Sequence, residues 1–490
     1  MRQLGGRLPG RVRLHGCAVS ALPRARSFPF ATLLLVAAGC SEGSAGADGA
    51  EVTGGAGAAG GAGTEADASG QGGGGGEAGQ GEPNAGATSR TDRLFDDHAP
   101  IWHFDIEVAA SDWAWLNANQ TLEQYVPAAV VFEGERFENA AIRYKGGYGT
   151  LGACIDDDGN LTCRKLSLKI SFNEYDSAGR FHGVRKLILH GCARDPTCLR
   201  ERLSYRLFRD AGVPTCRVVH ATASVNKQDQ GLFALVEYID KEFLEDNFED
   251  PEGNLYKERW PTSLDPGYYL EGLRTNEADA DASRMTAFAG VVASTDDASF
   301  AADVAPFIDL EAMDRYNAVD RVINDWDGIW KFYCVQDACF NHNFYIYDHP
   351  ASGRLVVIPW DLDFTFTKPD PDMGRSFRDD GPQACEIEEI TMKELDDLRG
   401  TLAPQCDPLM RGLLRHDESA FRDALREILE GPETSRDALL SRLNRYRASI
   451  REAVAADPAQ LPIEKWDEQV ARLRQIIIEQ YREAERLLAE

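Results

Sequence analysis

The chain has 490 residues, 43% of them hydrophobic, and a formal charge of −28. Setting aside the six arginines of residues 1–39, a stretch without a single acid, leaves −34 for the remainder. So acidic a body argues against nucleic acid or an anionic membrane surface as partner, suits cation binding, and is long enough for one large domain or two ordinary ones.

Arg2, Arg7, Arg11, Arg13, Arg24 and Arg26 lead into "SFPFATLLLVAAG" and Cys40. A basic stretch, a short apolar run and small residues predict a secretory signal over 1–39, and the run is too short to remain as a membrane span. "AAGC" before Ser41 resembles a bacterial lipoprotein signal, although Ala37 stands where Leu is commoner. That resemblance makes Cys40 the lipidated first residue of an exported chain, held in the cell envelope at the outer membrane or cell surface. The alternative is a plain cleaved signal. Residues 40–92 are Gly- and Ala-rich with almost nothing to bury, and are expected to be a disordered tether.

Export changes the reading of the cysteines. Nine of the eleven remain once Cys17 and Cys40 are set aside. Cys154 with Cys163, Cys192 with Cys198, Cys334 with Cys339, and Cys385 with Cys406 would each close a short loop, and disulfides are expected. Cys216 is left over as a buried thiol in a strand. A zinc site is the rival, but no Cys-x-x-Cys doublet with matching His is present.

From residue 93 the texture turns globular. "IWHFDIEV", "AAVVFE", "FENAAIRYKG", "KLSLKISF", "RKLILH", "CRVVHATASV" and "GLFALVEYI" alternate or are rich in β-branched residues, and predict strands. One helix interrupts them, over "TCLRERLSYRLFRDAGVP", with Leu199, Leu203, Leu207 and Phe208 on one face and Gly212 and Pro214 ending it. Further on, "DLEAMDRYNAVDRVIND" predicts a helix, "HNFYIYDH" and "RLVVIPWD" predict strands, and residues 407–490 are helical. The expected fold class is therefore α+β: a bilobal body over 93–490, with a β-rich lobe at 93–260 and a mainly helical lobe at 261–490.

Two acidic pairs stand out. "VINDWDGIW" places Asp325 and Asp327 after a predicted helix. "VIPWDLDFTF" places Asp361 and Asp363 at a strand end, on one face if the chain stays extended. Carboxylates from two element ends suit a magnesium–phosphate site, because hard cations take oxygen ligands and magnesium accepts one or two carboxylates beside substrate phosphates. Such a site also needs an acid to orient the acceptor hydroxyl and a lysine for the phosphates. Lys165 and Lys169 in "KLSLKISF" and Lys145 in "RYKGGYG" are the candidates.

Over roughly residues 98–490 the sequence resembles the spore coat protein H (CotH) kinase family. The stretches that carry the likeness are "IRYKGGYGT", "KLSLKISF", "LRERLSYRLFRDAGVP", "VNKQDQGLFALVEYIDKEFL", "GNLYK", "NDWDG", "HNFYIY" and "IPWDLDFTF". The resemblance implies an atypical protein-kinase-like fold that phosphorylates Ser or Thr of coat proteins, using ATP and Mg2+ or another divalent cation. It makes Asp327 the catalytic acid, Asp361 a metal ligand with Asp363 beside it, and Asn343 a second metal ligand. Lys169 is then the first choice for the phosphates, Glu201 its ion-pair partner, and Trp360 and Tyr144 flank the adenine. In this chain "IWKFYCVQDACF" separates Asp327 from the His-Asn pair, so a longer hairpin has to return Asn343 to the site.

The leading expectation is a lipid-tethered kinase acting on a protein Ser or Thr outside the cytoplasmic membrane. Its alternatives are a non-catalytic surface or adhesion module with a structural cation, and transfer of AMP rather than phosphate.

Overall fold

The computed structural model describes residues 90–147, 151, 154–156, 160–163, 165–335, 338–368, 385, 387–389 and 398–490. They all fall in one compact unit, 48–490. The predicted signal, Cys40 and all but the last three residues of the predicted tether lie outside the described residues. The described chain begins with helix α1 (Arg90–Leu94).

β1 (Trp102–Val108), α2 (Ala110–Ala118), β2 (Val126–Phe132), β3 (Glu135–Lys145), β4 (Ser167–Ser171) and β5 (Lys186–His190) follow, then α3 (Arg200–Asp210), β6 (Val218–Val225) and β7 (Gln228–Glu237). These seven strands close into a barrel in the order β1-β2-β3-β4-β5-β7-β6. Every neighbouring pair is antiparallel except β1 with β6, which run parallel. Strict alternation shows in β1, where Trp102, Phe104, Ile106 and Val108 are buried and His103, Asp105 and Glu107 are exposed.

The middle strands have no exposed face. Leu168, Ile170, Leu187 and Leu189 fill the barrel interior, whereas Ile188, Ala234 and Val236, pointing the other way, join a second apolar core with α3 and the helices that follow. That second core is why α3 is buried almost all round. Asp195 starts the helix: its Oδ2 accepts from the backbone N–H of Leu199 (2.7 Å) and Arg200 (2.8 Å).

Next come α4 (Lys241–Asn247), β8 (Leu255–Lys257), α5 (Pro266–Leu270), α6 (Ser283–Ser294), α7 (Phe300–Val304) and α8 (Leu310–Ile323). β9 (Phe332–Val335), β10 (Ala338–Phe340), β11 (Phe344–His349) and β12 (Arg354–Pro359) precede β13 (Glu388–Glu389) and β14 (Leu398–Leu402). The chain ends in α9 (Pro408–Arg415), α10 (Glu418–Glu430), α11 (Arg436–Ala456) and α12 (Ile463–Ala489). β8 pairs with β11 in a sheet of order β12-β11-β8. The class is α+β, a barrel followed by helices and two small sheets.

Disulfides join Cys154–Cys163, Cys192–Cys198, Cys334–Cys339 and Cys385–Cys406. Cys216 is free and buried, in the extended segment just before β6 rather than within a strand. Among the described residues no helix is long and apolar enough to cross a membrane.

One buried histidine ties α3 to the barrel. His220 accepts at Nδ1 from Arg202 (3.0 Å) and donates from Nε2 to the Cys198 carbonyl (2.7 Å), so both ring nitrogens are satisfied only in the neutral form. Burial first, and then the Arg202 charge, push its pKa down to about 3. The unfolded chain therefore takes up this proton near pH 6.5 while the folded chain resists until about 3. Stability contributed above pH 6.5 should be lost as pH falls through that window, by up to about 1.4 kcal/mol per pH unit. Denaturant unfolding between pH 4 and 7 should show a shallower pH dependence in His220→Gln, whose amide can both donate and accept. Identical profiles would show that His220 does not carry the effect.

Candidate active site

Two acidic loops meet because the backbone binds them together. Helix α8 ends at Asn324, which takes the left-handed conformation (φ 46°). Beyond it the Phe366 N–H donates to the Ile323 carbonyl (2.7 Å), and Asn324 Nδ2 donates to the Lys368 carbonyl (3.1 Å). The segment after Asp361 thus runs against the end of α8. Asp325 lies buried beneath this junction and Asp327 is half-buried. Gly328 is required there: a Cβ at this position would lie 2.3 Å from Asp325 Oδ2.

The insertion between Asp327 and Asn343 is a hairpin of β9 and β10, crossed by the Cys334–Cys339 disulfide between directly opposed residues. Asn341 Nδ2 donates to the Ile329 carbonyl (3.0 Å) and closes its base. The insertion therefore returns Asn343 to the loop it left. Asn343 Nδ2 donates to Asp327 Oδ2 (2.9 Å) and to the Asp327 carbonyl (3.1 Å), while His342 Nε2 (2.9 Å) and the Tyr333 hydroxyl bond Asp327 Oδ1. Asp327 is held by three side chains, one of them from the insertion itself. Loss of solvent opposes charge on His342, but attraction and hydrogen bonding from Asp327, aided by Glu258 and Asp361, outweigh it and raise its pKa to about 9.

Asp361 does not continue the strand. It is left-handed (φ 57°), its N–H bonds the Tyr205 hydroxyl (2.8 Å), and Leu362–Phe364 is a turn of 3₁₀ helix. The extended geometry expected for Asp361 and Asp363 is replaced by this turn. Burial would raise the Asp361 pKa, but Lys145 foremost, with Lys257 and His342, holds it below the usual carboxylate range. Asp363 goes the other way. Burial and the neighbouring charges of Asp361, Glu201, Asp327 and Asp195 push it well above that range.

Glu201 is buried on α3, where a solvated helix position is the common case. Its carboxylate bonds His190 Nδ1 at the end of β5 (2.7 and 2.9 Å), and His190 Nε2 lies 2.6 Å from Lys145 Nζ. Lys145 leads off the outer face of β3, so Tyr144, one residue back, points the opposite way. It packs on Trp113 and donates to Asn117 on α2 (2.7 Å). Trp360 is buried with its ring edge-on to His190, Tyr238 and Tyr345, and Lys145 lies over it. Lys169 lies over the Tyr238 ring at 4.2 Å. Lys165 is drawn elsewhere. Its ammonium bonds Asp457 (2.6 Å) and the Leu232 carbonyl, and joins the barrel to the end of α11.

The structure thus gathers Asp327, Asn343, Asp361, Asp363 and Glu201, with Trp360 alongside. It does not bring Lys165 or Tyr144 to them, and it puts Lys145 rather than Lys169 first among the cations acting on Asp361. His190, His342, Tyr333 and Lys257 were not picked out from sequence. His190 had one available signal, a single imidazole closing the apolar run "RKLILH" just before the helix that carries Glu201. The donor set fits a hard divalent cation: carboxylate oxygens of Asp361 and Asp363, an Asn343 amide whose N–H₂ is already spent on Asp327, and neighbouring negative charge that raises the Asp363 pKa.

These features define an α+β protein in which two loops bring Asp327, Asn343, Asp361 and Asp363 together, with Glu201 of α3 beside them. A family model described as CotH kinase protein matches residues 142–483, and the chain belongs to that family. It is similar to the inner spore coat protein H of Bacillus subtilis (strain 168), with 25% identity over 217 residues, 41% of this chain and 55% of that protein. It is also similar to spore coat protein homolog 1 of Rhizopus delemar, with 24% identity over 184 residues, 35% of this chain and 29% of that protein. The matches thus span about half of the first relative and under a third of the second. A solved structure, the Helicobacter pylori proinflammatory kinase CtkA, superposes with a TM-score of 0.28 and 9% identity, covering 67% of this chain and 93% of that one.

The position of Lys165 gives a direct check. Removing one partner of a buried ion pair leaves the other charge unpaired. Lys165→Met should lower unfolding stability by about 3 kcal/mol or more in denaturant titration. Undiminished stability would show that the Lys165–Asp457 pair does not join the barrel to α11.

Proposed function

We propose that the chain is a protein kinase that moves the γ-phosphoryl group of ATP to a Ser or Thr hydroxyl of another protein. The observation that supports this best is the union of two loops with different chemistry: Asp327, held by Tyr333, His342 and Asn343, and Asp361 with Asp363, tied beside it through α8 and Tyr205. Membership in the CotH kinase protein family supports a kinase-like reading of the fold. With the export expected from residues 1–40, the acceptor is a protein outside the cytoplasmic membrane.

Asp361, Asp363 and the Asn343 amide oxygen would hold a divalent cation, which when bound neutralises charge on the phosphates. Lys145 adds a fixed positive charge on the barrel side. Asp327 accepts the acceptor hydroxyl's hydrogen bond and aims its oxygen at the γ-phosphorus. The new O–P bond forms as the bond to the bridging oxygen of ADP breaks, and the hydroxyl proton passes to Asp327. The three donors fix the orientation of the Asp327 carboxylate, and a carboxylate's four lone-pair sites leave it room to accept the hydroxyl.

The two acids should therefore separate in a test. Asp361→Asn should weaken cation-dependent ATP binding by tenfold or more, on the order of 1.4 kcal/mol, and abolish transfer. Asp327→Asn should abolish transfer with ATP affinity largely kept. Calorimetry with magnesium, paired with labelled-phosphate transfer to Ser-rich peptides, measures both. Wild-type protein that binds no nucleotide with any divalent metal would overturn the reading and leave a structural cation module.

A further inference from the structure

A lysine that contacts phosphates is commonly braced by a carboxylate. Here the two are present, but a histidine stands between them. Lys145 Nζ lies 2.6 Å from His190 Nε2, and His190 Nδ1 lies 2.7 and 2.9 Å from the two oxygens of Glu201. A lysine ammonium has only donors, so Nε2 has to be the accepting nitrogen. The ring then carries its proton on Nδ1, where Glu201 accepts it. One neutral tautomer satisfies all three groups. The imidazolium would set an N–H against the ammonium.

We propose that His190 is a positioning residue that couples Lys145 to Glu201, so that helix α3 sets where the phosphate-facing ammonium sits. This rests on the kinase reading above for its purpose, though not for its geometry. Each member is fixed from a different element: Lys145 at the end of β3, His190 at the end of β5, and Glu201 in the first turn of α3. His190 and Glu201 are about 95% buried, so the chain of bonds is shielded from competing water. Trp360 lies against both the imidazole and the ammonium and restricts their movement. Bonding to His190 engages one of the three ammonium donors, and the remaining two suit phosphate oxygens. Tyr205, one turn beyond Glu201 on α3, bonds the Asp361 backbone. A shift of this one helix would therefore move the phosphate lysine and the metal-binding aspartate together.

A rival is on the page. His190, Glu201 and Asp361 each offer a ligand atom, all within 4.8 Å of one another, and could instead share a metal ion. An imidazole ligand would favour manganese or zinc over magnesium.

The test uses the full chain labelled with ¹⁵N-histidine, with the His190 signals assigned by their loss in His190→Gln. In metal-free protein the relay requires a proton on Nδ1, an unprotonated Nε2, and a shift of the Nε2 signal in Lys145→Met. A proton on Nε2, or no change in Lys145→Met, overturns it. So does diamagnetic zinc, added without nucleotide at stoichiometric concentration, displacing the Nδ1 proton, because His190, Glu201 and Asp361 then form a metal site. Calorimetry supplies the functional arm. Magnesium-ATP affinity or turnover should fall about 100-fold in His190→Leu, and His190→Gln, which can accept from Lys145 and donate to Glu201, should recover at least tenfold of that loss. Equal losses in both variants, each folded by circular dichroism, overturn the positioning role. Failure of the wild-type chain to bind nucleotide would overturn the kinase reading instead, and the imidazole spectrum would still decide the relay.

Discussion

Carboxylates withdrawn from water need compensating charge, and the acidic cluster of this protein is organised by that requirement. Burial, with the charges of Asp361, Glu201, Asp327 and Asp195, pushes the Asp363 pKa well above the usual carboxylate range. Lys145, Lys257 and His342 stand around Asp361 and hold its carboxyl below the usual range. Charges that lower one acid's pKa and raise its neighbour's are a common signature of a functional site.

The rest of the fold serves to keep these groups from separating. Helix α3 is central, because it touches the barrel through Glu201 and His190, the acidic turn through Tyr205, and the segment beyond through the Ser204–Thr365 hydroxyl pair (2.7 Å). Its N-terminus is anchored by Asp195 and its other flank by Arg202 with His220. Away from the acidic cluster, Asp457 at the end of α11 reaches the barrel at Lys165 and at the Leu232 N–H (2.8 Å). Gly231 makes that approach possible, since a Cβ there would sit 2.1 Å from the Asp457 carboxyl carbon. Among the ties between the barrel and the helical body are thus α3, beside the acidic cluster, and Asp457.

Much of this was legible in the sequence, and the parts that were not share a cause. The barrel strands announced themselves by alternation, and α3 by its apolar face. Asp327, Asn343 and Asp361 could be named because each sits in a short local motif. By contrast, β9, β10 and β14 have little apolar periodicity and are held by pairing and disulfides. Lys145 and Lys169 lie on the same face of adjacent strands, and only the closure of the barrel and the docking of α3 decide which ammonium meets the imidazole. Nothing near Lys165 hints at a partner 292 residues away. The turn at Asp361 is similarly non-local. A positive φ at a non-glycine residue is held by Tyr205 from another element, and a strand pattern cannot foretell it.

The central claim is that the cluster of Asp327, Asn343, Asp361 and Asp363 is a cation and nucleotide site. Crystals grown with manganese and a non-hydrolysable ATP analogue would test it through the anomalous scattering of the metal. The account predicts a manganese peak within ligand distance of the Asp361 carboxylate and the Asn343 amide oxygen, with the analogue's phosphates between that peak and Lys145. Manganese bound elsewhere, or a nucleotide whose phosphates lie away from Asp361, would contradict it.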